Sequence, residues 1–428
     1  MTIRRDITIS ATLSLLVLAA CDSPTGDGGG GPRFPSPVTM QTLGLGAVTD
    51  RTTSELWVRG DWAYTGTHSG EIPGNVIKIW NVSGNVPVLV DSLVVPGPPE
   101  AHPALRRHLD DDEEHNDAAG PNRIGDLQVS DDGKLLIAAT EGGPGSIILY
   151  DASDPAHPTF ITRYADEDLH AGVHTAALER VGGRLYAFLS IDPSAALSLA
   201  PRLVIVDLTN PASPVKVLSR VMGKPFQHDV FVRDGILFTA MWHDGVGIWD
   251  IGGAGRGGSV SNPVLLSTIV TKGGYAHNVY WMRDPSTGSR RWLFVGQEEP
   301  IGFGQYRGDV HVVDVQDLYN PKEVAFFHVD EAGSHNFSVD ESAGILYAAF
   351  YNGGVRAIDV RGDLSACDAS AKALDGRCDL SLMHREAGRG LNAEDREVKI
   401  WGVHWQDGTL YASDFLNGLW KLDASALR

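Results

Sequence analysis

Short apolar segments that end in an acidic or amide residue recur along the whole chain. Most of their residues are β-branched or aromatic, which is typical of buried strands. A second apolar segment precedes each copy, and turn sequences such as Ser130-Asp131-Asp132-Gly133 predict β-hairpins at these places. Many copies continue into Asn-Pro or Asp-Pro, which places a turn before an outer edge strand because proline cannot donate to a ladder. The seven copies span residues 76–81, 147–151, 203–207, 246–250, 310–314, 355–359 and 419–423.

Three clear strands and an outer strand, repeated seven times, predict an all-β fold, namely a seven-bladed β-propeller over residues 51–428. The 49 glycines and 23 prolines agree with many tight turns, and no segment has the pattern of a long amphipathic helix. Unequal spacing of the copies marks insertions at 96–121 and 365–397. The first insertion carries an acidic run at 110–114, which is read as a solvated loop or as a loop that binds a divalent cation or a partner.

The segment Leu203-Val204-Ile205-Val206-Asp207 resembles the motif that gives the LVIVD-repeat family its name. Proteins of that family are exported or surface proteins that resemble β-propellers, so the resemblance implies this fold and an extracytoplasmic location. No single reaction is attached to the family, and the resemblance therefore implies no activity. The copies that end at Asn81 and Asp151 depart most from the motif, which leaves the first blade boundary open.

The N-terminus predicts an export signal in residues 1–20. Arg4 and Arg5 precede an apolar run at 7–20, which is shorter than a membrane-spanning helix and suits a signal peptide. The end of this run, Leu18-Ala19-Ala20-Cys21, resembles a bacterial lipobox, which implies a covalent lipid on Cys21. The alternative is a plain secretory signal with an incidental cysteine. A glycine- and proline-rich flexible tether is expected at 21–50, so the lipid would anchor an exported lipoprotein to the periplasmic or surface face of a cell-envelope membrane.

The composition limits which classes of partner and which redox state of the cysteines are expected. The chain has 35 basic and 54 acidic residues and a net charge of −19, without a lysine or arginine block, so nucleic acid is not expected as a partner. Besides Cys21 the cysteines are Cys367 and Cys378, which predict a local disulfide in an oxidising compartment, with two free thiols as the alternative. Phosphate-binding loops, nucleophile elbows and His-Glu-x-x-His motifs are absent from the sequence.

Histidine returns near the start of the innermost strand in successive repeats, where a propeller has one mouth of its central channel. These candidate site residues are His174, His228, His277, His335 and His404, with Asp126 in an earlier repeat. Loops between the second and third strands open on the same face and contribute His68, Glu141, Asp192, His243, Asp244, Glu298, Glu299 and Asp414. Such a ring could hold a transition metal (Zn, Cu, Fe or Ni), with carboxylates fixing the imidazole tautomers. Alternatively, each histidine forms hydrogen bonds within its own blade. His243 and Glu298 break the repeat most and are the strongest candidates for a specific role.

Two classes of function follow, of which the sequence favours the first. The first is a membrane-anchored binding or scaffolding module for an envelope protein, peptide or glycan, which follows from the fold and the tether alone. The second is a metal-dependent enzyme with a histidine and carboxylate site at the channel mouth. The direction of the histidines, into the channel or back into the blades, discriminates between the two.

Overall fold

The computed structural model describes residues 33–68, 74–95, 123–142, 144–302, 305–392 and 396–428, whose strands form seven blades around a central channel. The innermost strands of successive blades contact one another, and blade 7 contacts blade 1, so the ring is closed. From the channel outward, blade 1 consists of Thr52–Arg59, Trp62–His68, Val76–Asn81 and Val88–Val94. Blade 2 consists of Arg123–Val129, Leu135–Glu141, Ser146–Asp151 and Thr159–Tyr164. Blade 3 consists of Val173–Val181, Arg184–Ile191, Arg202–Asp207 and Val215–Val221.

Blades 4 to 7 follow the same antiparallel order. Blade 4 consists of Asp229–Arg233, Ile236–Ala240, Val246–Asp250 and Val264–Ile269, and blade 5 of Ala276–Trp281, Trp292–Gln297, Val310–Asp314 and Lys322–Phe327. Blade 6 consists of Phe337–Asp340, Ile345–Ala349, Val355–Asp359 and Glu386–Gly390. Blade 7 consists of Ile400–Gln406, Thr409–Asp414, Gly418–Asp423 and Gln41–Ala47. The prediction of an all-β seven-bladed propeller is confirmed.

The seven repeated segments are the third strands of the seven blades. Their apolar residues are buried on both faces because neighbouring blades pack against each side; Leu203, Val204, Ile205 and Val206, for example, are fully buried. The acidic side chain at the end of the segment accepts hydrogen bonds from the backbone that follows it. In blade 4, Asp250 accepts backbone hydrogen bonds from four residues between 252 and 258, at 2.7–3.2 Å. The repeat therefore encodes one buried strand and the polar turn that ends it.

The ring is closed by the N-terminal part of the chain. Gln41–Ala47 pairs antiparallel with Gly418–Asp423 and is the outer strand of blade 7. Val38–Thr39 adds in parallel to the outer strand of blade 6. The predicted boundary between a tether at 21–50 and a propeller from 51 is therefore wrong, because residues 38–47 are already part of the sheets.

The second predicted insertion, 365–397, contains regular structure that belongs to two blades. Glu386–Gly390 is the fourth strand of blade 6, and Cys378–Asp379 pairs in parallel with the outer strand of blade 5. The insertion is therefore shorter than predicted. Cys367 and Cys378 form the predicted disulfide, which closes the loop between these blades.

Smaller elements complete the part of the chain that the structure describes. They are the hairpin of Glu299–Gly302 and Gln305–Arg307 and the 3-10 helices Glu167–Leu169, Ala369–Ala371 and Ser425–Leu427. In these residues, no helix has the length and apolar character needed to cross a membrane. The predicted signal peptide, Cys21 and the insertion at 96–121 lie outside the described residues.

Candidate metal centre

Four histidines occupy equivalent positions in blades 3 to 6. His174 and His277 lie at register shifts of the innermost strands, each as an extra residue between two paired neighbours. A bulge of this kind re-aims one side chain without ending the strand. His228 immediately precedes its strand and His335 lies two residues before its own. Their backbone N–H groups donate to the carbonyls of Ala240 (2.8 Å) and Ala349 (2.9 Å) of the second strands.

The four imidazoles form a continuous row at the wall of the channel. Their ring centroids are 4.2 Å (His174 to His228), 4.1 Å (His228 to His277) and 4.2 Å (His277 to His335) apart. All four line a central cavity of 530 Å³. The histidines thus face the channel and one another across blade boundaries. The alternative in which each serves only its own blade does not describe them.

Loops that follow the second strands supply the carboxylates. Glu298 directly follows the second strand of blade 5, and its Oε2 lies 3.5 Å from His277 Nε2 and 3.8 Å from His228 Nε2. Its other oxygen, Oε1, accepts a hydrogen bond from the Tyr351 hydroxyl. The side chains of Glu298, His277 and His228 are each less than a tenth exposed.

His174 has a more strongly charged environment. Its Nδ1 lies 2.8 Å from Glu141 Oε1 and 3.4 Å from Asp192 Oδ1, and its Nε2 lies 3.0 Å from His228 Nε2. Burial opposes a charge on this imidazole, but the carboxylates of Asp192 and Glu141 raise the pKa of His174 to about 10. Burial would raise the pKa of Glu141, but the positive charges of Arg123 and His174 outweigh burial and hold this pKa well below its usual range.

The remaining imidazoles of the row are neutral. Burial and then the neighbouring imidazoles lower the pKa of His228 and His335 well below the usual range, and that of His277 to about 3. The Nδ1 atoms of His228 and His277 are buried and have no hydrogen-bond partner among the described residues. His335 Nδ1 lies 2.5 Å from the Trp401 carbonyl, so this nitrogen carries the proton and Nε2 keeps its lone pair.

Two groups of three side chains bring ligand atoms within 4.8 Å of one another: His228, His277 and Glu298, and Glu141, His174 and Asp192. Neutral imidazole and carboxylate are the ligands that Zn, Cu, Fe and Ni share. The first group is buried, and its two Nε2 atoms lie 3.5 and 3.8 Å from Glu298 Oε2, beyond ordinary hydrogen-bond distance, which fits an ion between them. The second group is charge-compensated by Arg123, which contacts Glu141 at 3.0 Å.

His404, His243 and Asp126 were also predicted for the site, but they lie apart from the row of four histidines and from both groups. His404 is four residues into the innermost strand of blade 7, where it pairs with Tyr411 and packs edge-on against Trp57 at 4.9 Å. His243 is exposed and packs against Tyr275 at 4.6 Å. Asp126 lies one residue beyond the bulge of blade 2. For Asp126 and His404, the bulge of the strand gives the position equivalent to His174 to the neighbouring Gly125 and to Trp401.

Asp126 belongs to a second layer deeper in the channel. It accepts hydrogen bonds from the backbone N–H groups of Leu127 (2.7 Å) and Ala176 (2.8 Å). Burial raises its pKa to about 6, and burial together with the Asp126 charge raises the pKa of Asp229 to about 7 and of Glu55 to about 8. Glu55 also accepts a hydrogen bond from Asn336. This layer is acidic but holds part of its protons near neutral pH.

Sequence reasoning missed the aromatic side of the mouth. Trp401 lies at the bulge of blade 7, the position equivalent to His174, and its ring centroid is 4.6 Å from that of His335. Tyr351 follows the second strand of blade 6, as Glu298 does in blade 5. Lys399 Nζ lies 4.9 Å from the Phe415 ring and 5.6 Å from the Tyr351 ring. Counting six residues from the start of the second strand would have found Tyr351 from Ile345, since the same spacing leads from Leu135 to Glu141 and from Trp292 to Glu298.

Comparisons with known proteins agree with this architecture. The LVIVD repeat family matches residues 200–220, which include the third strand of blade 3, and this match and the seven blades fit the LVIVD-repeat β-propellers. The crystal structure of the Cps50 (Swd1) β-propeller domain of Myceliophteria thermophila is similar, with 12% identity and a TM-score of 0.56 over 90% of this chain and 99% of that chain. At this identity the likeness concerns the fold alone. No curated protein sequence matches the chain.

Proposed function

Because the chain is a β-propeller that carries the LVIVD repeat, a scaffold suited to binding, we propose that it binds a transition-metal ion at the channel mouth and uses it in catalysis. His228, His277 and Glu298 would be the protein ligands. One observation carries the proposal: these buried side chains from two blades bring ligand atoms within 4.8 Å of one another. The Nε2 atoms of His277 and His228 lie 3.5 and 3.8 Å from Glu298 Oε2, beyond ordinary hydrogen-bond distance, and burying these groups is costly unless a ligand such as an ion joins them.

Electrostatics supports the same proposal. Neutral imidazoles are the form that binds metal, and the pKa values of His228 and His277 are both lowered, chiefly by burial. Burial raises the pKa of Glu298 to about 7, so its carboxylate would ionise fully when a cation binds. The hydroxyl of Tyr351 orients that carboxylate, as second-shell groups do in metal sites.

An ion with three protein ligands keeps open positions for water or substrate. Bound there, it would lower the pKa of a water molecule or polarise a carbonyl or phosphoryl oxygen. Lys399 lies among the aromatic rings at this mouth and feels the charge of Glu298, so it could orient an anionic group of the substrate. The proposed reaction class is therefore metal-assisted attack of water on a ligand that enters the channel.

The location is part of the proposal. Lipidation of Cys21 would anchor the exported propeller to a cell-envelope membrane through the residues that precede the closing strand. A Cys21→Ser variant should then leave the membrane fraction and appear in the soluble fraction. A variant that stays with the membrane would exclude lipid anchoring at this cysteine.

Metal analysis tests the centre. The natively exported mature protein, purified without a histidine tag or chelator, should contain at least one equivalent of Zn, Cu, Fe or Ni. The His228→Ala/His277→Ala double variant should lose it while keeping the β-sheet circular dichroism. His243→Ala is the matched control, because His243 is exposed and lies outside both ligand groups. A wild-type protein without metal, even after reconstitution, would refute the centre.

A second candidate function, binding of an envelope protein or peptide, is favoured by the outer strand of blade 1. Val88, Val90 and Val94 of this edge strand are 59%, 42% and 64% exposed. An apolar edge can accept an extended segment of a partner as an added strand. A photo-crosslinker at Val90 should give a specific adduct in cells, whereas one at the exposed Val215 of blade 3 should not. Equal labelling at both positions would contradict this function.

A further inference from the structure

The second group of possible ligands lies directly beside the first. Glu141 ends the second strand of blade 2, Asp192 follows the second strand of blade 3, and His174 lies between them on the innermost strand of blade 3. Their ligand atoms are within 4.8 Å of one another. Three different segments thus converge on one point next to His228.

His174 touches both groups, each with a different ring nitrogen. Its Nδ1 faces Glu141 Oε1 at 2.8 Å and Asp192 Oδ1 at 3.4 Å. Its Nε2 faces His228 Nε2, a member of the first group, at 3.0 Å. Two nitrogen atoms at this distance either share one proton or point at one ion, because an imidazole nitrogen is a donor or an acceptor but never both.

We propose that a second divalent transition-metal ion binds at Glu141, Asp192 and His174 Nδ1, and that the His174 imidazole bridges it to the ion at His228, His277 and Glu298. This inference rests on the proposed function, since the bridge needs the first ion. His174 loses both ring protons to solvent when the two ions bind, so an imidazolate replaces the imidazolium that the carboxylates favour in the metal-free protein.

The surroundings of Glu141 fit this role. Its Oε2 accepts a hydrogen bond from Arg123 Nε at 3.0 Å and lies 3.2 Å from His68 Nε2, which leaves Oε1 directed at the site. Outer groups of this kind fix the orientation of a ligating carboxylate. Glycine at position 125 keeps the approach open, since a Cβ there would lie 3.2 Å from Glu141 Oε2 and 2.9 Å from the His174 carbonyl oxygen.

Metal stoichiometry tests the second ion. The full-length protein is stripped with a chelator, loaded with Zn²⁺, passed through gel filtration and analysed for metal. We expect two equivalents in the wild type and one in Asp192→Asn, with Glu141→Gln as a second variant in case the first does not fold. Asp244→Asn is the matched control, because this exposed acid in the corresponding loop of blade 4 belongs to neither group.

Loading with Cu²⁺ tests the bridge. Two Cu²⁺ ions joined by an imidazolate couple their spins, so the integrated electron paramagnetic resonance signal should fall well below the copper content. Asp192→Asn should bind one Cu²⁺ with full signal. One equivalent in both the wild type and Asp192→Asn, or two equivalents with full signal, would overturn this inference and leave the proposed function standing. Binding of neither Zn²⁺ nor Cu²⁺ would instead refute the proposed function.

Discussion

Replacing Glu298 by glutamine should remove the stability that the ion at His228 and His277 contributes, without harming the metal-free fold. The amide has the size of the carboxyl group and can still accept the Tyr351 hydrogen bond. It also spares the cost of a buried charge, which raises the pKa of Glu298 to about 7. The metal-free variant should therefore be at least as stable as the metal-free wild type.

The expected change in stability follows from the linkage between metal binding and folding. An ion at 100 times its Kd adds about 2.7 kcal/mol to the free energy of unfolding. For a propeller of about 390 residues, an unfolding entropy of about 2.1 cal/mol/K per residue turns this into a rise in Tm of about 3 °C. Loss of an anionic ligand should weaken binding of this ion at least about 100-fold, so at the same metal concentration this ion would add about 0.4 kcal/mol and less than about 1 °C. A contribution from an ion at Glu141, Asp192 and His174 would not change.

Differential scanning calorimetry with and without Zn²⁺ measures both effects. Glu299→Gln is the matched control, because Glu299 is next in sequence but pairs with Arg307 on the neighbouring hairpin, at 2.8 Å. Its Tm should rise with Zn²⁺ as in the wild type. An undiminished rise in Glu298→Gln would show that the carboxylate is not a ligand.

Three further predictions concern the channel wall and the blade edges. Burial raises the pKa of Glu55 to about 8, above its unfolded value near 4.5, so the ionised side chain lowers the free energy of unfolding increasingly as pH rises between these values. In urea titrations, Glu55→Gln should therefore reduce the decline of the unfolding free energy from pH 4.5 to 8. An unchanged slope would contradict the pKa shift. Gly402→Ala should cost about 1–3 kcal/mol in the same assay, because its Cβ would lie 2.1 Å from Glu55 Oε1, and Glu55→Ala should recover part of the loss. Cys367→Ser/Cys378→Ser should lower the unfolding free energy by about 2–3 kcal/mol, since the bridge closes a short loop (sequence separation 11), and reductant should then have no effect on the double variant while destabilising the wild type.

The blades were predictable because each third strand is a continuous apolar run with its own turn signal. The closing strand was not, since Gln41–Ala47 contains Gly44 and Gly46 and its partner lies at the other end of the chain. Glu386–Gly390 was missed for a related reason: its sequence, Glu-Ala-Gly-Arg-Gly, has little strand propensity and is held by pairing with Val355–Asp359. Long-range pairing overrides local sequence at such edges.

The channel mouth was predictable as a place but not residue by residue. His174, His228, His277 and His335 were found because they recur near the start of successive innermost strands. His404 also follows that pattern, yet the bulge in blade 7 gives its place to Trp401. Register shifts of one residue decide which side chain enters the channel, and these depend on pairing that a sequence does not display.

Closure of the ring by Gln41–Ala47 also has a consequence for the order of folding. This strand is among the first parts of the propeller to be synthesised, but its partner, Gly418–Asp423, is among the last. Until Gly418–Asp423 is synthesised, the strand Gln41–Ala47 has unpaired backbone groups, and blade 7 is incomplete. Joining strands so far apart in sequence is slow, so until then the nascent chain is an open arc that other extended segments could join. Loss of Gly418–Asp423 would therefore leave Gln41–Ala47 without its partner strand.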